Sequence, residues 1–121
     1  MSLRKDILRR LAEAMNERRP ADAERHFADS FVLHDPNQPN WPRGREGARQ
    51  MIRSFLDFAP DARLDILDLV EEGERVAVRW RVTGSRGGVA LVGSIVAIYR
   101  FEGALIAEDW GTSARADWDD A

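Results

Sequence analysis

A histidine and an aspartate stand side by side at positions 34 and 35. There a short apolar run, Phe31-Val32-Leu33, enters a loop carrying Pro36, Pro39 and Pro42. Imidazoles and carboxylates are side chains that enzymes use to move protons. At the mouth of an apolar pocket, desolvation raises a carboxylate's pKa towards the range where it can take and return a proton. Asp35 is therefore a candidate for moving protons. Its plainer reading is an Asp before a proline that caps a loop through nearby amides. His34 is a second candidate, but successive residues of a strand point to opposite faces. If Phe31 and Leu33 face the core, Asp35 follows them and His34 turns away. Asp109, on a late strand-like segment, is a further carboxylate whose face depends on strand register.

Other chemistries find little support. The chain has no cysteine, which removes disulfides, thiol nucleophiles and thiolate metal sites together. With His26 and His34 as the only histidines, no metal site is expected, and no motif calls for a cofactor. The segment Gly84-Ser85-Arg86-Gly87-Gly88 lacks a phosphate-loop lysine and a following helix, so it reads as a hairpin turn. No Gly-x-Ser-x-Gly elbow supports serine hydrolysis. A net charge of −3 argues against a nucleic-acid partner. The basic residues near the N-terminus are interrupted by Asp6, Glu13 and Glu17, as on a solvated helix face. No apolar run reaches the ~18 residues of a membrane span. A cytoplasmic location is the expectation.

Elements must position these groups. At 44% apolar and 32% charged residues, the 121-residue chain is expected to form one domain over residues 1–121. Leu3, Ile7, Leu8, Leu11, Ala12 and Met15 predict a one-sided helix over 3–15, with Ser2 as its N-cap and Arg19-Pro20 as its end. Pro20 suits the start of a short second helix through Phe27, broken by Ala28-Asp29-Ser30. Phe31 to Leu33 reads as a short strand and 35–44 as loop. Ala48, Met51, Ile52, Phe55 and Leu56 mark a third helix from Arg45, stopped by Pro60-Asp61. The rest is strand-like. Leu64 and Ile66 share one parity and Leu67 and Leu69 the other, which predicts a bulge near 66–68. Val76, Val78, Trp80 and Val82 alternate with Arg75, Ala77, Arg79 and Arg81. A long strand over 89–101, a Glu102-Gly103 turn and a return strand over 104–113 complete a four-strand meander. Three helices followed by a meander predict an α+β layout, with helices on one face of a curved antiparallel sheet.

Several segments, in order, carry a resemblance. They are Val32-Leu33-His34-Asp35-Pro36, Gly44-Arg45-Glu46-Gly47, Phe58-Ala59-Pro60-Asp61-Ala62, Asp68 through Trp80, Tyr99-Arg100-Phe101-Glu102-Gly103 and Leu105-Ile106-Ala107-Glu108-Asp109-Trp110. Together they resemble the SnoaL-like polyketide cyclases, within the nuclear transport factor 2-like (cone) superfamily that also includes ketosteroid isomerases. The resemblance implies a cystatin-like α+β barrel. Its cone-shaped sheet packs against three N-terminal helices and leaves a pocket between helices and concave face, often in a homodimer. It also implies that Asp35 matches the isomerases' general base. The isomerases' protonated-acid donor falls at Ala97 and their tyrosine donor near Leu11, and neither residue can donate. The cyclases' last-strand carboxylate falls where this chain reads Gly111-Thr112-Ser113-Ala114, with Asp109 the nearest acid.

Trp41, Trp80, Tyr99 and Phe55 are candidate substrate-binding residues for a small apolar or aromatic ligand, and aromatics at such spacing also serve as plain core. Trp110 is expected either in that pocket or on the outer sheet face, through which a homodimer would form. Two functions follow. One is a cofactor-free isomerase or cyclase acting on a small, largely apolar carbonyl compound, with Asp35, Asp109 or His34 moving protons. The other is a non-catalytic dimeric ligand-binding module that lacks the relatives' catalytic residues.

Overall fold

The computed structural model describes residues 2–120. Helix α1 spans Leu3–Asn16 and begins at Ser2, whose hydroxyl accepts a hydrogen bond from the Lys5 amide at 3.1 Å. Its apolar face, with Ile7, Leu8, Leu11, Ala12 and Met15, is buried, as the helical spacing predicts, except that Leu3 in the first turn is exposed. Helix α2 is shorter than expected, Pro20–Glu24, and strand β1 is longer, Phe27–His34. Phe27 and Phe31 meet edge to face in the core, with ring centroids 4.9 Å apart. Helix α3 covers Arg45–Phe58 and buries Gly47, Ala48, Ile52 and Phe55.

Strands β2 (Arg63–Glu72), β3 (Arg75–Arg86), β4 (Val89–Glu102) and β5 (Leu105–Ala114) form the expected antiparallel meander. A fifth strand joins it: β1 pairs with β5 in parallel, giving the order β1-β5-β4-β3-β2. The sheet is thus mixed at one edge, and it stays open between β1 and β2. The predicted bulge in β2 lies between Ile66 and Asp68, opposite Trp80 and Arg79. The nearby Trp80 carbonyl accepts the Trp118 indole N–H at 2.8 Å, which docks the acidic C-terminal turn (Trp118–Asp120) over Arg79.

The alternation of β3 sends Val76, Val78, Trp80 and Val82 into the core, facing the buried sides of α1 and α3. Asn16, at the end of α1, clamps the first part of edge strand β2. Its side-chain amide donates to the Leu64 carbonyl at 2.9 Å and accepts the Leu64 N–H at 2.7 Å. One side chain thus takes the place of a missing neighbouring strand, satisfying backbone groups that an edge otherwise leaves bare. Among the described residues, no helix is long and apolar enough to cross a membrane.

Candidate functional site

Between α1, α3 and the concave face of the sheet lies a cavity of about 370 Å³. Helix α3 contributes Met51, Ile52 and Phe55; the sheet contributes Trp80, Tyr99, Asp109 and Gly111; the loop after β1 contributes Asp35, Gln38 and Trp41. All four aromatic residues expected to bind substrate line this space, as do both aspartates.

Among the described residues, Asp35 and Asp109 are the buried charged-type side chains, with 8% and 4% of their surface exposed. Their environments differ. Asp35 Oδ1 accepts the Asn37 amide at 2.9 Å and its Oδ2 accepts Gln38 Nε2 at 3.3 Å. This is the loop-capping arrangement that an aspartate before a proline favours. Asp35 thus caps the loop, as its plainer reading expects, and also lines the cavity. Asn37 in turn donates to the Thr112 hydroxyl of β5 at 3.0 Å, and Trp41 Nε1 donates to the Gly47 carbonyl at 3.0 Å. The loop lies so close to α3 that a Cβ at Gly47 would sit 2.2 Å from the Pro42 carbonyl oxygen. Only glycine permits that approach.

Asp109 has no such support: its Oδ1 has no hydrogen-bond partner among the described residues. Burial, helped by the negative charge of Asp35, pushes its carboxyl up to about 7. A carboxyl at that value exchanges protons near neutral pH. Its inward direction comes from a break in register. Phe101 pairs with Ile106 while Arg100 pairs with Glu108, so Ala107 is an extra residue in β5. A one-residue slip exchanges the faces of everything beyond it. Asp109 and Gly111 thereby turn inward, and Glu108 and Trp110 turn outward.

His34 lies on that outer face, away from the cavity. It is exposed, its Nε2 meets Glu108 Oε2 at 2.8 Å, and its ring stacks on Trp110 with centroids 5.2 Å apart. The Arg100 guanidinium, 2.6 Å from Glu108, together with His34 holds the Glu108 carboxyl below its ordinary value. The His34–Asp35 pair that adjoins in sequence is therefore split by the strand, as its two-residue period requires. Trp110 likewise belongs to the outer face. Gln38 and Gly111 were not singled out by residue type; the Asn37-Gln38 pair directly after Asp35-Pro36 was the available signal for the first. Among the described residues, no group of three or more His, Cys, Asp or Glu side chains is arranged to hold a metal ion.

This geometry is that of the nuclear transport factor 2-like and ketosteroid isomerase-like fold. A candidate polyketide cyclase from Acidithiobacillus ferrooxidans, 24% identical, superposes with a TM-score of 0.80 over 94% of this chain and 89% of its own. A protein with a ketosteroid isomerase-like fold from Catenulispora acidiphila, 18% identical, gives 0.73 over 88% and 83%. Wild-type IdmH, a candidate polyketide cyclase from Streptomyces antibioticus, is 26% identical, with a TM-score of 0.73 over 90% of both chains. The SnoaL-like domain profile matches residues 8–109. The chain belongs to the SnoaL-like family. No curated protein matches it.

Proposed function

We propose that the protein binds a small, largely apolar carbonyl compound in the cavity and moves a proton on it without a cofactor, as an isomerase- or cyclase-type enzyme. The observation that carries this reading is the buried Asp109 carboxyl, unpartnered at Oδ1 and raised to about 7 within an apolar cavity. As a carboxylate it removes a proton from the carbon next to the ligand's carbonyl; the electron pair moves to the carbonyl oxygen, giving an enolate. The protonated acid then returns the proton to a different carbon in an isomerisation, or to the new oxygen after carbon–carbon bond formation in a cyclisation. Asp35, anchored in its loop, supplies the negative charge that keeps Asp109 from ionising too early.

The committed hydrogen bonds of Asp35 favour a second reading, in which the cavity only binds its ligand. Proton exchange separates the two. With 2-tetralone in D2O, the wild type is expected to speed loss of the α-proton signals in NMR spectra. Asp109→Asn should abolish that acceleration, and His34→Ala should leave it intact. Exchange no faster with the wild type than without protein would remove the enzymatic reading, and equal acceleration by Asp109→Asn would remove Asp109 from it. The proposal includes a cytoplasmic site of action, no nucleic-acid partner, and a homodimer through the outer sheet face. There Val70, Ala77, Ile98 and Trp110 form one row across four strands, with Val70 and Ile98 exposed.

A further inference from the structure

Besides Asp109, the cavity contains a polar group that the protein itself leaves half satisfied. The Trp80 indole N–H donates to the Tyr99 hydroxyl oxygen at 3.0 Å, with the two rings edge to face at 88°. An indole nitrogen donates and cannot accept, so Trp80 cannot take the hydroxyl's own hydrogen. Among the described residues, the Tyr99 O–H has no acceptor. Buried polar groups are overwhelmingly paired, and an exception inside a ligand-sized cavity points to the ligand. Accepting the Trp80 bond also polarises the hydroxyl and makes it a better donor.

We propose that the Tyr99 hydroxyl donates a hydrogen bond to an oxygen of the bound molecule, and that this oxygen is a carbonyl on the carbon adjoining the one that faces Asp109. The inference rests on the reading of the cavity given above and names the group at the ligand's buried end. Tyr99 and Asp109 are direct partners across β4 and β5, so their side chains rise from neighbouring positions on one face. A carbonyl oxygen held by the first leaves the adjoining C–H beside the second. Ala97 is on the same face of β4, two residues before Tyr99, and carries no donor. Tyr99 thus supplies the oxygen-binding group that this part of the strand otherwise lacks. Burial and the nearby Asp109 push the Tyr99 hydroxyl well above its ordinary value, so its proton stays in place. It binds the oxygen before the reaction, and more strongly as charge develops there, while the transferred proton travels only between carbon and Asp109.

The test compares 2-tetralone with 2-methylenetetralin, in which a CH2 group replaces the oxygen. Wild-type protein is expected to bind the ketone about tenfold more tightly, the worth of one net hydrogen bond. Tyr99→Phe should abolish that ratio and leave the hydrocarbon's affinity unchanged. In isotope-edited infrared spectra, the carbonyl stretch of the ketone bound to wild-type protein should fall below its value in hexane, a readout independent of how the variant folds. Equal binding of both compounds, a ratio retained in Tyr99→Phe, or an unshifted stretch would each overturn the role of Tyr99 while leaving the apolar cavity in place. Failure of both compounds to bind would overturn the cavity reading and this inference with it.

Discussion

Gly111 leaves the room that the Asp109 carboxyl occupies. A Cβ at position 111 would stand 2.7 Å from Asp109 Oδ1, 3.0 Å from the Ala97 Cβ and 3.2 Å from the Val96 carbonyl oxygen. Position 111 is thus kept clear for the acid two residues earlier on the same strand face. Gly111→Ala is expected to cost about 1–3 kcal/mol of stability by overpacking. It should also lower the 2-tetralone exchange rate by about a hundredfold, because the carboxyl must turn from its position. Denaturant unfolding and the NMR exchange assay measure the two effects separately.

Asp35 acts on Asp109 through its charge. Burial is the larger cause of the raised Asp109 value and the Asp35 carboxylate the smaller. Asp35→Asn removes a like charge, so the Asp109 carboxyl should titrate lower than in the wild type yet remain above its ordinary 3.8. Carbon-13 NMR of the side-chain carboxyl across pH 3–9 (roughly the span of the shifted and ordinary values) checks both halves. A variant that titrates at or above the wild-type value would contradict the coupling.

Stability should fall as pH rises through the same window. Between 3.8 and about 7 the unfolded chain has released the Asp109 proton while the folded protein keeps it, so the folded state binds more protons. Raising the pH then favours unfolding, and the loss is complete above the folded value. At 1.36 kcal/mol per unit, the wild type forfeits about 4 kcal/mol by pH ~8. Asp109→Asn cannot ionise and escapes this loss. Its stability relative to the wild type should improve steadily from pH ~4 to pH ~8 in chemical denaturation.

The outer sheet face gives a separate expectation. Ile98 is 43% exposed at the centre of the row from Val70 to Trp110. Ile98→Glu should convert a dimer to monomers in sedimentation equilibrium by placing an unpaired charge in the contact. A wild type that sediments as a monomer would remove the dimer from the proposal.

The sequence makes some of this readable and hides the rest for physical reasons. The face of α1, the alternation of β3 and the parity change in β2 each leave a local periodic mark, and each has its counterpart in the structure. Strand β1 is partly hidden because its register with β5 shifts between Phe27 and Val32. That irregularity breaks the two-residue rhythm, so the segment around Asp29 and Ser30 reads as a break. The parallel pairing of β1 with β5 joins distant segments and leaves no mark in either. Asp35 faces inward as simple alternation requires. The direction of Asp109 was not legible, because the extra residue at Ala107 reverses the parity just before it.

The parallel β1–β5 pair also governs the order in which the molecule comes together. Strands β2 to β5 can join through short turns, each closing a small loop. The loop bearing Asp35 reaches β5 only through contacts such as Asn37 to Thr112, 75 residues apart. Closures of that span are entropically the most expensive in the chain and slow folding. The two acids consequently meet only once β1, an edge strand with β5 as its single neighbour, brings the Asp35 loop onto β5. Local openings begin at such edges. Detachment of β1 should therefore extinguish proton exchange while the amides of β3 and β4 remain shielded from solvent deuterium, so that loss of activity precedes loss of fold.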